Sequence, residues 1–165
     1  AGQLIIKPQP LDIYSLVGEA AESMRPLLQG KDQDITLELP PELPYASGDA
    51  DMIHRVLMNL LENASKYLPV SGKITIGSIQ EGEFLKLWGE DNGPGIPESE
   101  KERIVEKYAR LNPAGSPKGA GIGLSYCRMV VEGNGGKIWV EPEQDAGARF
   151  SFTLPVVTNP SSEDV

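Results

Sequence analysis

Three segments, met in a fixed order along this chain, hold the residue types that could do chemistry. In HRVLMNLLENASKY (54–67), Asn59, Asn63 and Lys66 fall at i, i+4 and i+7, so they share one stripe of a helix, with Tyr67 beside them. Asparagine is a mediocre helix former, and each one costs about half a kcal/mol relative to alanine. What such a stripe offers in return is amide oxygens, neutral hard ligands suited to Mg²⁺, an ion that keeps its waters and binds phosphate as well. Lys66, one turn further on, could meet a phosphate as a point charge. The bland alternative is a solvated helix face with a Glu62–Lys66 pair.

In EDNGPGIP (90–97), Asp91 directly follows a strand pattern, and Gly93 and Gly95 follow it. Glycine permits positive φ and close backbone approach to a flat ligand. A carboxylate at the floor of such a pocket accepts hydrogen bonds from an exocyclic amine such as adenine's. Guanine presents a carbonyl there and would be repelled. Taken alone, the segment is equally a surface turn, being rich in turn formers. In GAGIGLSYCRMVVEGNGG (119–136), Gly119, Gly121 and Gly123 alternate just before the helical pattern of Leu124, Cys127 and Val131. Backbone N–H groups at a helix start with no side chains in the way bind phosphate well. The spacing is neither the dinucleotide fingerprint nor a P-loop, and a flexible hinge is the alternative. The order and placement of all three segments together specify a nucleotide site.

The elements that must position them follow from periodicity. QLIIK (3–7) reads as a short strand, and Asp12 can cap a helix whose apolar stripe is Ile13, Leu16, Val17, Ala20, Ala21, Met24, Leu27 and Leu28. ITLEL (35–39) alternates like a half-buried strand. A helix over 50–67 buries Ile53, Val56, Leu57, Leu60, Leu61 and Ala64. KITIGSI (73–79) and FLKLW (84–88) form a hairpin across QEGE. Residues 98–108 make a short helix, 111–121 a loop, and a further helix runs to about Glu132 before KIWVE and ARFSFTL close the chain as strands. The expected architecture is α+β: a mixed sheet of about five strands with helices on one face.

The totals agree with one domain of 165 residues, 39% hydrophobic and 24% charged, which is ordinary for a globular protein. A net charge of −9 disfavours a nucleic-acid surface. The single cysteine, Cys127, excludes an internal disulfide and reads as a small buried hydrophobe. No apolar run approaches the roughly 18 residues needed to cross a bilayer, and a reducing, cytoplasmic setting is the default. The domain is expected over 1–157, and TNPSSEDV (158–165) as a disordered tail. His54 has no nearby nucleophile or triad and reads as a helix-surface or partly packed residue.

The three segments resemble the N, G1 and G2 boxes of the ATP-binding catalytic domain of sensor histidine kinases, a group that shares its fold with gyrase, chaperone and mismatch-repair ATPases. IVEKYAR (104–110) resembles the intervening F box, with Tyr108 where phenylalanine is usual. The resemblance spans nearly the whole chain. It implies a two-layer α/β sandwich of the Bergerat type with a mobile ATP lid. It implies Asn63 as the Mg²⁺ ligand, Asn59 as a supporting polar group, Lys66 on a phosphate and Tyr67 over the base. Asp91 would read adenine, with Gly93, Gly95, Ile96 and Tyr108 shaping the pocket. Residues 111–118 would be the lid, Arg110 and Lys118 would face the phosphates, and Gly119, Gly121 and Gly123 would supply backbone donors with Ile122 and Leu124 packed nearby. The implied reaction is transfer of the ATP γ-phosphoryl group to a histidine on a separate helical phosphoacceptor domain, with a response regulator downstream.

No H box is present in the chain, and His54 cannot replace it. The resemblance therefore implies a catalytic domain cut from a longer kinase, which could itself be membrane-anchored, with Ala1 at an artificial boundary and the isolated domain a monomer. Two alternatives share the boxes: an anti-sigma-type serine kinase, and a regulatory module that holds nucleotide without turnover. The related ATPases carry a glutamate general base where this chain has Asn59, so transfer is favoured over hydrolysis.

Overall fold

The computed structural model describes residues 4–68, 71–91, 120–142 and 148–158. In chain order the elements are β1 (Gln9–Leu11), α1 (Ile13–Gly30), β2 (Asp34–Glu38), β3 (Tyr45–Gly48), α2 (Ala50–Tyr67), β4 (Lys73–Glu81), β5 (Phe84–Asp91), α3 (Ala120–Gly133), β6 (Ile138–Pro142) and β7 (Ala148–Val157). The strands form one sheet in the order β1-β3-β7-β5-β4-β2, with β6 also paired to β7. The β2–β4 pair is parallel and the other pairs are antiparallel. α2 packs between α1 and α3, and the three helices cover one face of the sheet.

Local chemistry explains the helix starts. Asp12 accepts from the N–H of Tyr14 at 3.0 Å, and Asp49 accepts from the N–H of Met52 at 3.2 Å, so each satisfies donors that the first helical turn leaves open. Every member of the expected α1 stripe is buried except Leu27, which is exposed. All six expected core positions of α2 are buried. Strand alternation on β5 divides Leu85 and Leu87, which face the helices, from Lys86 and Trp88 on the opposite face. There Arg149 stacks 4.5 Å from the Trp88 ring centroid.

The strand count is seven rather than about five. β3 went unforeseen because YASG is four residues long and only Tyr45 among them favours a strand; pairing on both sides, with β1 and β7, makes it one. The first strand also lies further along than expected. Leu4 and Ile6 pack beside Gly133 at the end of α3, and the Lys7 N–H donates to Asp49 at 3.0 Å. That segment is held by helices, so only Gln9–Leu11 pairs in the sheet, at an edge that tolerates Pro10.

α3 ends in a left-handed glycine. Gly135 has φ +90, and the N–H of Gly136 reaches back to the Val131 carbonyl at 2.9 Å. A Cβ on Gly136 would stand 1.7 Å from the Thr153 carbonyl oxygen, so the turn from α3 into β6 lies directly on the β7 backbone.

Candidate functional site

The amide stripe of α2 is not a solvated face. Asn63 is only 8% exposed and Asn59 is half-buried, while Lys66 is open to solvent. The Asn63 Nδ2 donates to the Asn59 backbone carbonyl at 2.8 Å, one turn earlier. An amide whose NH₂ is engaged in this way presents its carbonyl oxygen outward. That donor set fits Mg²⁺ shared with phosphates: one neutral hard oxygen, and among the described residues no cluster of acidic, His or Cys side chains able to hold a metal alone.

Three segments meet at one end of the sandwich. Asp49, at the start of α2, donates its N–H to Asn134 Oδ1 at the end of α3 (2.9 Å), and Cys127 reaches Val56 (3.7 Å), so the two helices run antiparallel. Carried two turns further, this register sets the first turn of α3 beside the Asn63–Lys66 end of α2. Leu68, the residue after α2, is followed within a few residues by β4, where Ile74 pairs with Asp91, the last residue of β5. Asp91, the C-terminal turns of α2 and the N-terminus of α3 therefore share one end of the fold.

Gly121, Ile122, Gly123 and Leu124 lie inside α3, which begins at Ala120. The expected glycine turn before the helix is thus largely the helix itself, begun one turn early. Tyr67 closes α2. Gly93, Gly95, Ile96, Tyr108, Arg110, Lys118 and Gly119 lie outside the described residues, as do the short helix at 98–108, the lid and nearly all of the tail. His54 lines a groove between α1 and α2 with Glu19 and Glu22, about 140° round the helix from Asn59. Its half-buried side chain there matches the partly packed reading.

Two buried groups beside the site were not singled out for it in the sequence. Gln33, after α1, donates to the carbonyls of Ser65 (3.2 Å) and Leu68 (3.0 Å) and accepts from Ser65 Oγ (2.6 Å). It satisfies carbonyls that the end of α2 leaves open, and so fixes where Lys66 and Tyr67 stand. Gln33→Leu is expected to lower unfolding free energy by about 2–4 kcal/mol, because it strands buried polar groups. Urea unfolding measures this, and a loss under about 0.5 kcal/mol would refute the bridging role.

The second group is Cys127, whose thiol donates to the Val56 carbonyl on α2 at 3.7 Å. Burial pushes the thiol up to about 12, with the neighbouring Asn59 side chain pulling the other way. The folded chain then keeps this proton while the unfolded chain loses it near pH 9. The contribution to stability is complete below that pH and falls away as pH rises toward 12. Iodoacetamide at pH 8 is expected to leave Cys127 unmodified in the folded chain and to modify it rapidly in denaturant. Equal rates would contradict the burial.

Residues 48–158 match the family described as histidine kinase-, DNA gyrase B- and HSP90-like ATPase. The adaptive-response sensory kinase SasA of Synechococcus sp. (strain CC9311) is 38% identical over 156 residues, covering 93% of this chain and 41% of that kinase. The chain thus spans under half the length of that relative. The catalytic domain of histidine kinase ThkA superposes with a TM-score of 0.76 at 29% identity, covering 91% of this chain and 98% of that one. ThkA in complex with response regulator protein TrrA gives 0.71 at 29% identity, covering 92% and 42%. Full-length ShkA in complex with AMPPNP gives 0.76 at 27% identity, covering 96% and 33%. Among the described residues, no helix is long and apolar enough to cross a membrane.

Proposed function

The chain belongs to the histidine kinase-, DNA gyrase B- and HSP90-like ATPase family, and from that membership we propose that it binds Mg-ATP and donates the γ-phosphoryl group to a histidine on a separate phosphoacceptor domain. The observation that carries this reading is the buried Asn63 of α2, its NH₂ held by the Asn59 carbonyl and its Oδ1 left free, at the end of the fold shared by Asp91 and the start of α3. SasA-like and ThkA-like kinases support it as relatives.

In this reading Asp91 accepts from the adenine amine and so selects ATP over GTP. Backbone N–H groups in the first turn of α3, unobstructed at Gly121 and Gly123, hold phosphate oxygens. Lys66 adds positive charge from α2, and Arg110 and Lys118 add more. Mg²⁺, held at Asn63 Oδ1 with Asn59 in support, would neutralise charge on the phosphates. The acceptor imidazole nitrogen forms the new N–P bond as the bond from the γ-phosphorus to the β-phosphate bridging oxygen breaks, and ADP leaves. The chain's contribution is positioning and charge complementarity. No water need be activated, which agrees with an amide at position 59; the exposed Glu62 is turned about 60° from Asn59 and about 100° from Asn63 on the other side of the helix stripe.

The test mixes this chain with the separately prepared phosphoacceptor domain of its parent kinase and ATP labelled at the γ-phosphate. Acid-labile, alkali-stable label on the acceptor is the expected result. Acid-stable label on serine would point to the anti-sigma-type reaction, and ATP binding with no transfer to the regulatory module. The downstream partner proposed is a response regulator, by likeness to the ThkA pair.

A further inference from the structure

We propose that Gln33, with the turn between α1 and β2 that carries it, is a positioning residue that sets Lys66 against the phosphates of the nucleotide; this rests on the function proposed above. The sequence leaves the end of α2 one donor short. The Ser65 carbonyl would take its helical bond from the N–H of residue 69, but that residue is Pro69, which has none. Helical geometry is also disfavoured just before a proline, and Leu68 is extended at φ −80 and ψ 136. α2 therefore stops one residue after Lys66. Gln33 replaces the missing donor: its Nε2 donates to the Ser65 carbonyl at 3.2 Å and to the Leu68 carbonyl at 3.0 Å, across the point where the helix ends. Its Oε1 accepts from Ser65 Oγ at 2.6 Å, so the buried amide is held from both sides.

The chain leaving α2 is tied to the same turn. The Ser71 N–H donates to the Lys31 carbonyl at 3.3 Å, Ser71 Oγ donates to Asp32 Oδ2 at 2.9 Å, and the Asp34 N–H donates to the Gly72 carbonyl at 3.2 Å. Asp32 and Ser71 have φ of 52 and 68, left-handed values that persist in residues other than glycine only where the surroundings hold them. Residues 31–34 thus grip the last turn of α2 on one side and the start of β4 on the other. Lys66 lies within that grip, exposed, beside the wholly buried Ser65. A lysine meets phosphate as a point charge on a flexible stem, so where its ammonium can reach depends on where its backbone is held. Gln33 is itself buried with its amide engaged on α2, so it acts through Lys66 and not on the nucleotide.

The experiment uses the whole chain with Gln33→Met, which keeps the length of the side chain and loses both donors, and Ser65→Ala, which removes only the bond that orients the Gln33 amide. Each is made alone and combined with Lys66→Ala. The first readout needs no nucleotide: hydrogen exchange at backbone N–H groups. In Gln33→Met the N–H groups of Lys66, Tyr67 and Leu68 are expected to exchange about tenfold faster, beyond any change at Leu57 in the middle of the helix. The second readout is Mg-ATP affinity. Gln33→Met is expected to lose about fivefold to tenfold and Ser65→Ala about twofold to threefold. In the Lys66→Ala background neither change is expected to cost more than about 1.5-fold further, because the group they position is gone.

Unchanged exchange at those three N–H groups in a folded Gln33→Met chain would overturn the grip on α2. Wild-type Mg-ATP affinity in that variant, or losses that simply add to that of Lys66→Ala, would overturn the positioning role while leaving the proposed function standing. Should Gln33→Met not fold, Ser65→Ala decides, and unchanged affinity there overturns the role. Failure of the wild-type chain to bind ATP at all would bring down the proposed function and this role together, and would be recognised before any variant was compared.

Discussion

Asp91→Asn is expected to lower ATP affinity by about 10- to 100-fold and to abolish discrimination against GTP. The residue closes β5 on a central strand, with its backbone paired to Ile74, so an isosteric change leaves the sheet register intact. What changes is the acceptor. A carboxylate receiving the adenine amine makes a charge-assisted bond worth about 1.5–3 kcal/mol, and a neutral amide keeps little of it. Guanine, which meets the wild-type carboxylate with a carbonyl, loses an unfavourable pairing in the variant. Calorimetric titration with ATP and GTP in excess Mg²⁺ measures both effects. A folded Asp91→Asn chain with wild-type ATP affinity would remove Asp91 from the site.

Asn63→Ala should leave metal-free ATP binding nearly intact, abolish the Mg²⁺-dependent gain and slow phosphotransfer by about 10²- to 10³-fold, the usual scale for deleting one group that stabilises charge in the transition state. Asn63 is among the least exposed polar side chains of α2, and its NH₂ is spent on the Asn59 carbonyl, so its oxygen is the part available to a ligand. In a chain of net charge −9 binding a polyanion, a neutral oxygen ligand adds no further repulsion against the phosphates. Removing the side chain also deletes one hydrogen bond, so unfolding free energy should fall by about 1 kcal/mol and no more. Transfer at an undiminished rate in the variant would mean that Mg²⁺ is held elsewhere.

The α2 site helix was legible because its signals are local. Ile53, Val56, Leu57, Leu60, Leu61 and Ala64 repeat with the helical period, and Asp49 caps them, so boundaries and buried face follow from residues within a few positions of one another. The same holds for the β4–β5 hairpin, where Gly82 takes the left-handed conformation its turn requires. Asn59, Asn63, Lys66 and Asp91 could be singled out because amides one turn apart, and an acid between a strand and glycines, are unusual enough to read without a fold.

The sequence by itself determined the chemistry on offer and the elements that carry it: which helix bears the amides, which strand ends in the carboxylate, and that α3 opens on glycines. Tertiary structure decided the rest, because those features depend on partners distant in the chain. YASG is a strand only because β1 and β7 flank it. Leu4 and Ile6 leave the sheet because Gly133 gives them a place on α3. Gln33 meets Ser65 from 32 positions away, and Cys127 meets Val56 from 71. No periodicity encodes such pairings; packing α1, α2 and α3 on one sheet does, and it alone buries Asn63 and half-buries Asn59 on an asparagine stripe that looks exposed in sequence.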